Sequence, residues 1–446
     1  MFTSHLIALQ TWEMRLRQRL GWFTAGGPWT GQLPAIERRS LRFFWLDGLF
    51  ANASEAIIVA YQTLFVLALG ANSAQIGLMS ALSSLSAALF LLPGAALVER
   101  WGHRKQIVVS SGGGVGRLIL LLLALLPLVF PGPLAIVVAI ALIVARSAVT
   151  NFSFSAWMSL TADIVPLAWR GRYFASRNIM MSLAGMITTY LVGQLITGVG
   201  GVNGYQLALG LAFAIGLIST YNFGRIHDPL ASAAPAKPAV QYTLRGLQRL
   251  REDRAFWIFC ALAATWNFSL NIAGPFFYVY LVDNLQGTAS FVGILAVING
   301  LAALPGQRLF GYLSDRWGPR RVQLLTGLLI PLMPWGWMLA PSVWHLLPVE
   351  LCAGFLWAGY NLATFNFLLT LIPQNNRERY SALYQIIVTV ALAGGAGLGG
   401  VVAEWWGYKA VFLLSGLGRL TTALLFVYLT RPAAKPGAMS QSEAMS

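Results

Sequence analysis

Asp47, Ser54, Glu55 and Gln62 recur along one apolar stretch near the N-terminus. At about 100° per residue, the steps 47 to 54 and 55 to 62 each return to within about 20°, and 47 to 55 differ by about 80°. All four therefore share one helix face. Arg146 interrupts another apolar stretch near its middle, at the depth of Glu55 if the two stretches cross a bilayer in opposite directions. A charged side chain at the bilayer centre costs about 2.5–3.5 kcal/mol on insertion scales, so these charges need each other or a task. Paired with Arg146, Glu55 stays charged. Parted from it in a dry setting, it is neutralised by taking up a proton. A carboxylate of that kind links protonation to shape, and the linkage is reciprocal. Asp47, about one turn from the end of its stretch, is a relay or a second site. A static ion pair fixing two helices is the alternative.

The elements that must position these residues follow from composition. Of 446 residues, 57% are hydrophobic and 10% charged, with mean hydropathy +0.66. A soluble domain has about 25% charged residues, so a water-soluble globule is excluded. Apolar stretches lie near 43–70, 74–98, 106–128, 133–158, 175–199, 204–224, 255–283, 290–313, 321–341, 348–372, 381–404 and 408–430. Each approaches or exceeds the ~20 residues that cross a ~30 Å hydrocarbon core. The reading is an all-α membrane protein of twelve transmembrane helices, here called spans 1 to 12. The net charge of +15 arises from 26 Arg and four Lys against 15 acids. Of the 30 basic residues, 25 fall in the N-terminal arm, in alternate gaps and in the tail; Lys409 sits at the edge of the last opposite gap. The positive-inside rule puts both termini in the cytoplasm of a multi-pass cell-membrane protein. The basic surplus is topology, with attraction to anionic lipid, rather than a nucleic-acid surface.

Residues 1–42 read as a cytoplasmic arm without a cleavable signal peptide, and Leu6, Leu9, Leu16 and Leu20 recur as on a helix lying on the inner leaflet. A first bundle over 43–224, a linker over 225–254, a second bundle over 255–430 and a disordered tail over 431–446 follow. Cys260 and Cys352 lie within spans and read as small hydrophobes, with neither disulfide nor metal site.

The chain repeats itself. Glu99-Arg100-Trp101-Gly102-His103-Arg104 returns 216 positions later as Asp315-Arg316-Trp317-Gly318-Pro319-Arg320, and Gly77 and Gly293 keep that offset. Pro166-x3-Arg170-x-Arg172-Tyr173 returns 207 positions later as Pro373-x3-Arg377-x-Arg379-Tyr380. Two pseudo-symmetric six-helix bundles, related by an axis along the membrane normal, are the simplest account. On these motifs the chain resembles the major facilitator superfamily of secondary transporters over 43–430. The loop signature of that family is G-x3-D-R-x-G-R-[RK]; Gly311-x3-Asp315-Arg316-Trp317-Gly318-Pro319-Arg320-Arg321 is similar to its weaker copy after span 8, and the first copy has Ala95 for Gly and Glu99 for Asp. The resemblance implies that spans 1, 4, 7 and 10 line a central cavity. It also makes Arg146 similar to the span-4 Arg of many proton-driven exporters, although the Gln-Gly that follows it there is Val149-Thr150 here.

Asp315 and Glu99 end helices where the macrodipole disfavours an acid, so each needs a partner elsewhere. The expected partners are Arg170 and Arg172 for Asp315, and Arg377 and Arg379 for Glu99. With Arg100, Arg104, Arg316 and Arg320 they make a cytoplasmic gate that crosses between bundles and opens as they rock. The alternative is plain solvated loop charges. Arg177 falls among the basic residues of the gap after span 4. Arg308 is expected to join the Asp315 network; Arg117 and Arg419 have no assigned partner. Asn267, Asn271 and Tyr278 in span 7, flanking a Gly274-Pro275 break, and Trp357, Tyr360, Asn361 and Thr364 in span 10, with Gln62, suit an uncharged or amphipathic organic solute. Helix-to-helix hydrogen bonding accounts for the amides nearly as well. No Lys follows a Gly as an ATP-binding loop requires, and His5, His103, His227 and His345 all lie in loops or tails, so neither ATP-driven transport nor hydrolysis is supported. The expectation is a non-enzymatic, cofactor-free, metal-free monomer that moves a small organic solute with protons. Efflux is favoured by the acidic span 1 and Arg146, although the Gly-Pro motif often found in span 5 of antiporters is missing. An uncoupled facilitator or importer, and a membrane sensor or assembly factor that moves nothing, are the rivals.

Overall fold

The computed structural model describes residues 28–228, 254–371 and 377–429. The expected amphipathic helix, most of the linker and the tail lie outside them. Every regular element among the described residues is helical. In chain order the spans are α1 (Ala35–Ala68), α2 (Ser73–Trp101), α3 (Arg104–Val129), α4 (Pro133–Ile164), α5 (Arg170–Val199), α6 (Gly201–Gly224), α7 (Phe256–Asp283), α8 (Ala289–Trp317), α9 (Pro319–Leu339) and α10 (Leu346–Leu371). The remaining helical stretch, Arg377–Leu429, is interrupted by a non-helical residue, Gly407 (φ 77°, ψ 172°), and so makes two spans, α11 (377–406) and α12 (408–429). Gly200 (φ 74°, ψ 165°), between α5 and α6, holds the same conformation 207 positions earlier. The repeat thus extends into backbone geometry that only glycine adopts without strain.

Local chemistry sets the boundaries. Asn72 and Gln75 cap α2 reciprocally, Asn72 Oδ1 accepting from the Gln75 N–H (2.9 Å) and Gln75 Oε1 from the Asn72 N–H (3.0 Å). The glycines of the repeated Trp-Gly motif stop helices: Gly102 (φ 66°) closes α2 and Gly318 (φ 82°) closes α8. The first helix starts at Ala35, eight residues earlier than expected, because Leu41, Phe44 and Trp45 pack into a cluster with Ile164, Val165 and Tyr173. Arg38, Arg39 and Arg42 therefore ride on α1, not on an arm. Span 3 is not a uniform helix, since Val109–Val115 widens into π-helical turns. Its glycines admit neighbours: a Cβ at Gly113 would lie 2.6 Å from Thr220 Cγ2. The Gly274-Pro275 break is a short 3-10 turn, Gly274–Phe276.

The basic end is the one carrying Arg100, Arg170 and Arg316; the other is the far end. The bundles meet along α2 with α11 and α5 with α8. Glycines bring these helices together: Gly77 lies against Gly400, Gly293 against Tyr190, and Gly193 against Ala289. Hydrogen bonds reinforce the far end. Tyr61 Oη donates to the carbonyls of Thr189 (2.6 Å) and Ala289 (3.3 Å). Ser73 and Tyr408 hydroxyls share a bond of 3.0 Å, and the Ser290 N–H donates to Thr197 Oγ1 (3.0 Å). The glycine contacts reach no deeper than Gly300 against Met186.

A Cβ at Gly77 would lie 2.6 Å from Gly400 Cα and 2.7 Å from the Ala396 carbonyl oxygen, backbone atoms that cannot rotate away. Overpacking of this kind costs about 1–3 kcal/mol. Gly77→Val is therefore expected to move the population toward a far-end-open form by about 5- to 150-fold. Faster labelling of a cysteine at position 73 by an impermeant maleimide would register the shift.

Candidate functional site

The face predicted for α1 borders a cavity of about 280 Å³ inside the first bundle, walled by α1, α3, α4 and α6. Asp47, Glu55 and Arg146 all line it, with Arg117, Ser153, Ser219 and Thr220. Arg146 donates to Glu55 Oε2, and the Glu55 side chain keeps 45% of its surface open whereas Arg146 keeps 10%. The pair thus has its acid toward the cavity and its base in the wall. Asp47 is buried, accepting from Ser219 Oγ (2.7 Å) with Arg177 Nη2 at 3.8 Å. Eight residues separate Asp47 from Glu55, about 12 Å along the helix.

Two arginines depart from expectation. Arg177 is not a loop residue; it is buried, its guanidinium 4.3 Å above the Phe44 ring and its Nε donating to the Phe44 carbonyl (3.2 Å). Gly48 leaves the room, since a Cβ there would lie 2.6 Å from Arg177 Nη2. Arg117, without a partner in the sequence reading, donates through Nη1 to Ser54 Oγ (2.9 Å), which donates to the Ala212 carbonyl (2.7 Å). Spacing along the chain encodes neither contact.

The second bundle holds a cavity of about 250 Å³ walled by α7, α9, α10, α11 and α12. Asn267, Trp357, Tyr360, Asn361 and Thr364 line it together. Asn271 does not; its amide donates to the Leu392 carbonyl (2.7 Å) and ties α7 to α11. Gln62 and Tyr278 line neither cavity, and Gln62 Oε1 is buried without a partner. Trp266 and Gln323 join the lining without having been expected there. Gln323 was detectable as a polar residue just inside an apolar span, whereas Trp266 carries no signal that separates it from core.

Among the expected gate residues, Arg104 is corrected. It is buried and grips Asp163 (2.5 Å), Asp228 (2.7 Å) and Ser159 Oγ (3.0 Å), all of the first bundle. It clamps the starts and ends of α3, α4 and α6 rather than crossing between bundles, because α3 begins beside those acids. Among the described residues no ion pair joins Asp315 to Arg170, Arg172 or Arg308. Arg170 Nη2 donates to the Ala162 carbonyl (2.6 Å), Arg172 lies over Trp169 (5.0 Å), and Arg316 donates to Tyr312 Oη (3.2 Å). Arg100 is exposed; Arg320 lies at the start of α9. The side chains of Glu99, Arg377 and Arg379 lie outside the described residues.

The family model described as Major Facilitator Superfamily matches residues 44–276 and 267–444. A curated relative, "Multi-drug resistance efflux pump PmrA homolog" of Lactococcus lactis, is 27% identical over 201 residues, 42% of this chain and 47% of the relative. "Multi-drug resistance efflux pump PmrA" of Streptococcus pneumoniae is 25% identical over 186 residues, 39% and 45% respectively. The chain thus matches about half the length of these relatives. Among solved structures, nucleoside transporter NupG has a TM-score of 0.69 at 13% identity, covering 90% of this chain and 100% of that one. A bacterial homologue of the iron transporter ferroportin in an inward-facing state has 0.69 at 16% identity, covering 89% and 99%. At such identities these structures speak to fold alone.

Arg104→Gln removes the cation from two carboxylates, one of them 2% exposed. Removing one partner of a buried pair costs about 3–5 kcal/mol. A lower unfolding midpoint in detergent is expected, partly restored by adding Asp228→Asn, with far-end cysteine labelling unchanged. A change in labelling instead would return Arg104 to the gate.

Proposed function

Because the chain belongs to the Major Facilitator Superfamily, we propose that it exports a small organic solute across the cell membrane by alternating access, coupled to protons. The observation that carries the coupling is the Glu55–Arg146 pair on the wall of the first-bundle cavity, with the carboxylate open to the cavity and the guanidinium buried. In this conformation the bundles are joined at the far end, and the acid is paired. Rocking the bundles reshapes the cavity; if the pair parts, an uncompensated charge is left away from water, and protonation of Glu55 relieves it. Proton uptake and the change of access then favour each other. Asp47, between Glu55 and the basic end and held by Ser219 and Arg177, is the relay.

Solute binding falls to the cavity of the second bundle, where Trp357 and Tyr360 offer ring faces and Asn267, Asn361 and Thr364 offer hydrogen bonds. The concentration of basic residues at one end supports a cytoplasmic location for that end and for both termini. One chain supplies both bundles and both cavities, in keeping with a working monomer. Export is supported by the names of the two curated relatives and by the acid on α1. The gate belongs to the opposite state. There Asp315 would reach Arg170 and Arg172, and Glu99 would reach Arg377 and Arg379, closing the basic end.

Proteoliposomes loaded against a panel of organic solutes, with and without an imposed pH gradient, test this reading. The wild type is expected to accumulate at least one solute against its gradient when the pH gradient is present. Glu55→Gln is expected to lose about tenfold or more of that accumulation while keeping downhill exchange. Full gradient dependence in Glu55→Gln would remove Glu55 from the role. Wild-type flux indifferent to pH would indicate a facilitator, and no flux of any solute a protein that transports nothing.

A further inference from the structure

The two bundles treat their buried cations differently. In the first, Arg146 has Glu55, Arg177 has Asp47, and Arg104 has Asp163 and Asp228; Arg117, whose Nε also lacks an acceptor among the described residues, bonds Ser54 but shares its cavity with Asp47 and Glu55. In the second, Arg419 of α12 is 1% exposed, donates to the Leu270 carbonyl (3.3 Å), and has no acceptor at Nε. The described carboxylates of that bundle are engaged or remote. Asp283 accepts from Tyr408 at the far end, and Glu350 accepts from Asn299 (2.7 Å) and Trp337 (3.2 Å). Asp315 and Glu404 are exposed at helix ends. A guanidinium held away from water without an anion is costly, and here the protein supplies none among its described residues.

What lies beside Arg419 is the second cavity. Tyr360, which lines that cavity with Gln323 and Thr364, lies within electrostatic range of Arg419. Leu270 and Thr422, which flank Arg419 along α7 and α12, line the same cavity. The wall also carries a buried donor without a partner among the described residues, Trp266 Nε1, in a residue 4% exposed. Around it the rings form a box. Trp266 stacks on Tyr360 (4.6 Å, 19°), and Trp357 stands edge-on to both (6.4 Å and 5.5 Å). An idle donor and an uncompensated cation beside aromatic faces ask for a ligand with a negative end and a flat apolar body.

We infer that the second-bundle cavity binds an aromatic organic anion, its ring among Trp266, Trp357 and Tyr360 and its charged group at the Tyr360 hydroxyl in the field of Arg419. This narrows the solute of the proposed export to one charge class and rests on that reading for its biological use, although binding itself does not. Arg419 acts as a positioning residue through Tyr360. A cavity of about 250 Å³ fits one or two fused rings.

The test is equilibrium binding of 1-naphthoate and its neutral isostere 1-naphthamide to the full chain in lipid nanodiscs, with no pH gradient or transport. The wild type is expected to bind the anion about tenfold or more tighter than the amide. Arg419→Gln is expected to abolish that preference while leaving amide affinity within about threefold, and Arg419→Lys to keep part of it. Thr364→Trp, which fills the box, is expected to abolish binding of both. Should Arg419→Gln not fold, the wild-type ratio and Thr364→Trp still decide. Equal wild-type affinities, a preference that survives Arg419→Gln, or full anion affinity in Thr364→Trp would each overturn the inference. A pH-insensitive wild type in proteoliposomes would sink the coupling without touching this result.

Discussion

The cost of an uncompensated charge away from water governs how this chain is built. Nearly every buried ionisable group of the first bundle is explained by it. Asp47 is held by Ser219 and Arg177, and Arg177 in turn lies on Phe44 in space that Gly48 leaves free. Arg104 sits between two carboxylates and fastens the basic ends of three helices. Within this framework the Glu55–Arg146 pair differs in one respect: its acid is open to the cavity. The Asp47–Arg177 pair is sealed, and Arg104 joins a sealed Asp228 to an Asp163 that keeps 38% of its surface open. An accessible carboxylate beside a buried cation can exchange a proton as its surroundings change.

The same economy of contacts shapes the boundary between bundles. Glycine against glycine at Gly77 and Gly400 lets α2 and α11 approach backbone to backbone, and the far end adds a few hydrogen bonds through Tyr61, Ser73 and Ser290. Glycine contacts carry no interlocking side chains that must be withdrawn before the helices separate. The cross-bundle polar bonds are few and near the end, where water can take over the groups they release. A seam of this type is suited to being made and broken. The Arg104 clamp, by contrast, lies wholly inside one bundle.

How much of this was legible follows from what a one-dimensional pattern records. Apolar length and the alternation of basic gaps mark the spans, and the Glu99–Arg104 and Asp315–Arg320 repeat marks the two halves. The face shared by Asp47 and Glu55 needs only the helical angle, and Arg146 needs only depth. Arg177 and Arg104 escape such a reading because an arginine near a span boundary looks the same whether it points to solvent or folds back beneath an aromatic ring. The early start of α1 is hidden because its first turns carry Arg38, Arg39 and Arg42 on one side while Leu41 and Phe44 are buried on the other. The π-helical turns of α3 and the tie from Asn271 to Leu392 depend on neighbours far along the chain, and no local spacing encodes them.

The repeat fixes geometry more tightly than chemistry. Gly200 and Gly407 share a backbone conformation, Gly77 and Gly293 both lie on the seam, and each bundle encloses a cavity of similar size. The linings have nonetheless diverged. The first cavity brings carboxylates to its arginines, and the second surrounds its polar atoms with indole and phenol rings. Duplicated helices can keep their packing while the side chains facing each cavity change, because packing is set by the outward seams and the glycines, not by the inward face. One half therefore lines its cavity with charge while the other lines its cavity with aromatic rings.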